Sequence, residues 1–236
     1  MSEDVQLTDV DPQEAIGVLQ QRLQNPVGTG SWLDVWQAMH LKQFTVAQSA
    51  GYDILDDIGS ALDDALQNGT TYDDFLKNVV PILQEKGWWG GKLGSLRRMQ
   101  IIFDTNMRMS YAAGQWQRID ASKSDLPYLM YDHTTSLHPR EEHLVWDGIT
   151  LPADDPWWDT HYPPNGWGCK CGVVQLTQSQ YDRMNGAGEI TTEAPQTLWQ
   201  TFINAVTGES SKVPAGIDPG FGYNVGKALL AELAGG

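Results

Sequence analysis

Apolar positions recur at helical spacing through the first half of the chain. Between Pro12 and Gln24, Ala15, Val18, Leu19 and Leu23 share one face and predict a first helix. The run NPVGTG at 25–30 punctuates the chain as a loop. From Ser31 a proline-free stretch carries Trp36, Met39, Ala47, Ala50, Ile54 and Ile58 at similar spacing, which predicts a long helix capped by Ser31. Thr71, with Asp74 three residues on, marks the start of another helix; Gly87 marks its stop, and Pro81 is expected to kink or divide it. Residues 97–119 give the strongest helical pattern, with Met99, Ile102, Phe103, Met107 and Ser110 on one face. Ala112, Ala113 and Gly114 there are small enough to admit a second backbone.

The second half reads differently. LPYLMYDHTT (126–135) and CGVVQL (171–176) predict two strands of a small sheet. LTQSQYDRM (176–184) and APQTLWQTFINAV (194–206) predict helices, 208–222 is Gly/Pro-rich and irregular, and YNVGKALLAELA predicts a short final helix. The fold class is therefore α+β: an N-terminal helical region, a small β-sheet with a long Pro/Trp-rich pinned loop, and a helical and extended C-terminal tail. The divisions fall at 1–30 (an acidic N-terminal lead), 31–125 (helical region), 126–177 (sheet and His/Cys-rich loop) and 178–236 (helical and Gly/Pro-rich tail).

Charge narrows the function. A net charge of -15 disfavours a protein that coats a phosphate backbone and suits docking onto a basic partner. The basic groups that do cluster, Arg97, Arg98, Arg108, Arg118 and Lys123, are expected to pair with the acidic helices of the same chain. Asp56, Asp57, Asp63 and Asp64 read as a solvated helix face. Trp88 and Trp89 read as core or interface packing rather than an anchor for a partner. The acidic start has neither the basic nor the apolar region of a secretory signal, and no run is long and apolar enough to span a membrane. Cys169 and Cys171 are too close in sequence for a relaxed disulfide, so synthesis in a reducing cytoplasm is expected, with the cysteines kept as thiols or metal ligands.

The chemistry concentrates in residues 138–171. This stretch holds three of the five histidines (His138, His143, His161) and both cysteines. One reading is a zinc site in which His143, His161, Cys169 and Cys171 complete a tetrahedron, with His138 as an alternative imidazole. Ligation would order a loop whose own core is thin. Against it, C-x-C is a weaker zinc signal than C-x-x-C, and the cysteines could be small buried hydrophobes beside histidines bonded to carbonyls. A second reading is catalysis by His138, Arg140, Glu141, Glu142 and His143, or a Cys169–His161 nucleophile pair, though neither forms a specific signature. The third, favoured reading is architectural: Asp154–Trp158 and Pro163–Trp167 form turns followed by aromatic anchors that pin the loop through buried indoles. Arg140 in that reading ties the loop to a buried carboxylate.

The order RxxHxxxxG (Arg140, His143, Gly148), then DDPxW (Asp154–Trp158), then PPNGWGCxC (Pro163–Cys171) resembles the phage Mu F-like head morphogenesis family, also called minor head or minor capsid proteins. FTVAQSAGYDILDDI (44–58), GWWGG (87–91), IFDTNMRMSYAAGQW (102–116), LPYLMY (126–131) and GIDPGFGYNVG (216–226) agree in order from about residue 31 onward. The resemblance implies a bacteriophage virion component present in few copies, near the portal, acting in head morphogenesis through protein–protein contacts rather than turnover. It implies the portal, the major capsid protein or a scaffold protein as partner, with no membrane and no strong direct nucleic-acid binding. It also implies location in the phage head after synthesis in the host cytoplasm. It places family positions at Arg140, His143, Gly148, Trp158, Pro164, Trp167, Cys169 and Cys171, with Lys170 as the basic residue between the cysteines; His138 is not carried by it. The chain leaves no room after residue 226 for the effector domains fused to some relatives. No catalytic residue is assigned. The alternative, from a different class, is a nuclease-like effector using the His/Arg/Glu cluster of 138–143.

Overall fold

A computed structural model describes residues 12–90, 93–133 and 139–235. Most of the acidic lead that precedes the first helix, and His138, lie outside the described residues. The chain forms two compact units, residues 1–32 with 39–115, and residues 33–38 with 116–236.

The first unit is helical: α1 (Pro12–Leu23), α2 (Met39–Lys42), α3 (Leu55–Asn68), α4 (Tyr72–Glu85) and residues 96–115 of α5 (Leu96–Ser122). Ile58, Leu62 and Leu66 on α3, and Phe75, Val79 and Leu83 on α4, stand four residues apart and are all buried in one core. That i, i+4 stripe is the reason each of these two amphipathic helices buries one face. Thr71 caps α4, its hydroxyl accepting from the Asp74 N–H at 3.3 Å. Gly87 turns the chain after α4 with φ 73°, and Pro81 lies inside an undivided helix. On α5, Gly114 faces α1: a Cβ there would lie 3.0 Å from the Ala15 nitrogen, the close backbone approach that its small neighbours anticipate.

The helix expected from Ser31 does not run through. Residues 31–38 are not helical, 39–42 become α2 and the far end becomes the start of α3, while backbone between α2 and α3 bonds to the 25–30 loop. The Val27 N–H donates to Phe44 O at 2.9 Å, Phe44 N–H to Asn25 O at 3.1 Å, and Ala50 N–H to Thr29 O at 3.1 Å. Gln37, Gln48 and Gly51 take positive φ, which no helix tolerates. Residues 33–38 belong instead to the second unit. Trp88 is fully buried, as its core reading anticipates; its indole N–H donates to Gln48 O at 2.9 Å, and the Arg98 guanidinium lies over its ring at 5.1 Å. Arg98 also donates to Gln48 Oε1 at 2.7 Å and to Ala47 O, two carbonyl oxygens.

The second unit contains the end of α5 (116–122), β1 (Tyr128–Asp132), α6 (Glu141–Trp146), β2 (Thr150–Pro152), α7 (Trp158–His161), β3 (Gly172–Leu176), α8 (Gln178–Ala187), β4 (Trp199–Ile203), β5 (Ser210–Pro214) and α9 (Val225–Gly235). The three-stranded sheet is antiparallel in the order β2–β1–β3, with Leu129 opposite both Leu151 and Gln175. The two expected strands thus lie side by side, and the long connection between them supplies the third. Leu129 and Tyr131 alternate into the core. Thr177 and Gln180 form a reciprocal capping box at the start of α8.

Residues 199–203, expected to be helical, form a hairpin with 210–214. The turn explains the difference. Asn204 Oδ1 accepts from the N–H groups of Val206 (2.8 Å) and Thr207 (3.2 Å), and Gly208 supplies φ 75°. Trp36 stacks on Phe202 at 5.4 Å, and Asn204 Nδ2 donates to Leu33 O, which fastens the 33–38 segment to the hairpin. Among the described residues, no helix is long and apolar enough to cross a membrane.

The helical core gives a direct test. Leu62→Ala should lower the unfolding free energy of the first unit by about 3 kcal/mol through cavity formation. Ile82→Ala on the exposed side of α4 should change it by less than about 1 kcal/mol. Urea denaturation followed by circular dichroism distinguishes the two.

Candidate functional site

The loop between β1 and β3 is held from three sides. Within it, Asp155 Oδ1 accepts from the Trp157 N–H at 2.8 Å, the Asp-initiated turn that starts α7. Trp158 is fully buried, and its indole donates to Pro152 O at 3.0 Å. Gly148, at φ 76°, donates to Tyr131 O and accepts from the Thr191 N–H, both at 3.0 Å. Pro164, buried behind a cis peptide bond, leads to Asn165, whose Oδ1 accepts from the buried Tyr131 hydroxyl at 2.9 Å. Burial raises the Tyr131 and Tyr162 hydroxyls far above the ordinary tyrosine range, so both act as neutral groups.

The third side comes from residues 216–227, far along the chain. Arg140, just ahead of α6, places its guanidinium 2.6 Å from Asp218 Oδ2. The same carboxylate oxygen accepts from the Trp167 N–H at 2.8 Å, and Arg140 also donates to Trp167 O at 3.2 Å. The Asp218 N–H donates to Asn165 O at 3.0 Å. Each charge is about seven-tenths buried and keeps hydrogen bonds on more than one side, conditions under which a charged pair retains its attraction. Gly166 makes the approach possible: a Cβ there would lie 2.3 Å from Asp218 Oδ2 and 2.8 Å from Arg140 Nη2. Trp167, partly exposed, packs edge-on against Phe221. Asn224 donates to Trp158 O at 3.1 Å and caps α9 by accepting from the Gly226 and Lys227 N–H groups.

His143 and the two cysteines meet at the centre. Their donor atoms all lie within 4.8 Å of one another. His143 Nε2 is 2.9 Å from Gly216 O; a carbonyl only accepts, so Nε2 carries the proton. The other ring nitrogen, Nδ1, faces Cys171 Sγ (3.5 Å) and Cys169 Sγ (3.9 Å). His143 and Cys169 are buried and Cys171 is partly so. The Cys171 thiol, hydrogen-bonded to Cys169, lowers the Cys169 thiol below the ordinary cysteine range, and the same sharing of one charge pushes Cys171 up.

His161 stands apart from this trio. Its ring stacks on Trp157 at 4.4 Å and meets Trp146 edge-on at 4.9 Å; Nδ1 lies 2.8 Å from Thr160 Oγ1 and 3.2 Å from Trp157 O. Of the four residues first considered as ligands, three converge and one serves the aromatic packing. Asn165 lies in the Pro163–Trp167 turn anticipated from sequence, whereas Gly216, Asp218 and Asn224 were not singled out: 208–222 was read as irregular, and GIDPGFGYNVG entered only through the family resemblance.

The chain matches the family described as "Phage Mu protein F like protein" over residues 56–174, half of its length. The chain belongs to that family. It is 32% identical over 224 residues to the "Mu-like prophage FluMu F protein" of Haemophilus influenzae, a match covering 86% of this chain and 54% of that protein. It is 29% identical over 243 residues to the "Putative capsid assembly protein F" of Escherichia phage Mu, covering 93% and 55% respectively. The chain thus spans about half the length of both relatives. No solved structure matches it. Arg140, His143, Cys169 and Cys171 fall inside the matched Mu F-like region, whereas Gly216 and Asp218, which close the site, lie beyond it.

Two consequences are measurable. Gly166→Ala should cost about 2 kcal/mol by driving Asp218 and Arg140 apart, and should expose residues 216–222 to protease. Gly172→Ala, where a Cβ meets nothing within 4 Å, should do neither. Separately, burial lowers His161 from the ordinary 6.5 to about 4. The unfolded chain then binds the proton first as pH falls, so this contribution is complete above about pH 7 and is lost between about 6.5 and 4. Wild-type protein should lose about 2 kcal/mol more than His161→Gln between pH 7 and pH 5, as measured by urea denaturation at both values.

Proposed function

We propose that this protein is a minor component of a bacteriophage head that acts in head morphogenesis through protein–protein contacts, near the portal and without turnover. The observation that carries the reading is membership of the Mu F-like family, together with the similarity to a relative named a putative capsid assembly protein. The site's geometry supports a structural role. Arg140 is engaged with Asp218, His143 lies 2 % exposed with Nε2 on Gly216 O, and neither is presented to a substrate, as a nuclease would require. The net charge of -15 favours a basic face on a portal, major capsid or scaffold subunit over DNA. Synthesis in the host cytoplasm followed by incorporation into the virion fits two cysteines kept as thiols.

Quantitative mass spectrometry of purified particles and empty proheads tests this, with the chain counted against the portal subunit. A low, fixed ratio in both is expected; absence from both would overturn the reading. Arg140→Ala should reduce incorporation together with soluble yield. A folded, incorporated Arg140→Ala protein that had lost a nuclease activity would favour an enzyme instead.

A further inference from the structure

Two thiols and one imidazole nitrogen converge on a common point, and the imidazole is already oriented for ligation. The Gly216 carbonyl engages His143 Nε2, so Nδ1 is the ring nitrogen that faces both sulfurs. Metal-bound histidines characteristically donate their other ring N–H to such a carbonyl, which fixes tautomer and ring plane. The ring plane is further set by stacking on Trp146 at 4.9 Å. Thiolate and imidazole bonds to a tetrahedral zinc ion place N and S about 3.6 Å apart. The two N···S distances here are 3.5 and 3.9 Å, so little movement is needed to seat an ion.

We propose that His143 Nδ1, Cys169 Sγ and Cys171 Sγ bind a thiophilic divalent cation, zinc, as a structural staple, with the fourth position taken by a water molecule. Two soft sulfur donors and one imidazole select zinc over magnesium or calcium, which prefer oxygen. The ligands come from α6 and from the segment leading into β3, and His143 carries residue 216 with it through Nε2. One ion would therefore join the two ends of the long loop and hold the C-terminal segment against them. The trio excludes His161, whose Nδ1 faces Thr160 and Trp157. This inference stands independently of the head-protein reading.

The test uses the full chain, purified under reducing conditions without a metal-affinity tag. Elemental analysis should find about one equivalent of zinc, and Co²⁺ added to metal-stripped protein should give sulfur-to-cobalt charge-transfer absorption with the intense visible bands of a tetrahedral site. Cys169→Ser, Cys171→Ser and His143→Gln should each lower zinc to less than about a tenth of an equivalent and abolish the charge-transfer band or weaken it severalfold. His161→Gln should retain both signals. Because a ligand variant can lose metal by misfolding, the wild-type chain supplies the second measurement. Chelation should increase protease cleavage at 216–222, and added Zn²⁺ should restore protection. Folded wild-type protein that takes up less than about a tenth of an equivalent, from its host or from added Zn²⁺, would overturn the proposal. So would zinc uptake that survives all three ligand substitutions.

Discussion

Closure of residues 216–227 onto the loop between β1 and β3 is the constraint on which the second unit depends. The loop contains a turn, two short helices and a short strand, but its polar groups are only partly satisfied from within. Asp218 completes them, receiving Arg140 and the Trp167 N–H on one oxygen while its own N–H reaches Asn165 O. Gly216 O fixes His143, and Asn224 takes Trp158 O. A single distant segment thus satisfies groups on α6, on α7 and on the Pro–Pro–Asn–Gly turn. Removing any one of these bonds leaves a partly buried polar group without its partner, which costs more than the bond itself contributes.

The aromatic residues supply the other half of that closure. Tyr131, Trp146, Trp157 and His161 pack around one another at ring separations between 4.4 and 6.0 Å, mostly edge-on or stacked. They give a loop of little aliphatic content a core of its own. The polar contacts then choose one arrangement among those the aromatic packing alone would allow. This division of labour agrees with reading the stretch as architectural, and it accounts for why histidines in the same loop serve such different ends.

What could be read from the sequence was what neighbouring residues decide. Thr71 and Asp74 lie within one turn, so that cap was legible; Thr177 and Gln180 lie equally close, though only the helix they start was anticipated. Leu198, Trp199, Phe202 and Ile203 fit both a helical and an extended period, and the decision rests on Asn204 forming a turn, which periodicity does not register. The helix expected from Ser31 failed because Phe44 and Ala50 find backbone partners in the 25–30 loop. In the site, the convergence of His143 with both cysteines was partly legible, but nothing local separates His143 from His161. The partner of Arg140 was anticipated as a carboxylate yet could not be located, because Asp218 lies 78 residues away and one acidic residue among thirty looks like any other.

That separation has a temporal side. The contacts from Arg140 and His143 to the 216–218 segment span 78 and 73 residues, and each must close a long loop before it returns any energy. During synthesis the β1–β3 loop is made before residue 218. For that interval its ring cluster and thiols lack their cover, in a state prone to wrong association or oxidation. Docking of residues 216–218 therefore ends the vulnerable period, so the rate at which that segment docks governs how much of the nascent protein reaches its final form.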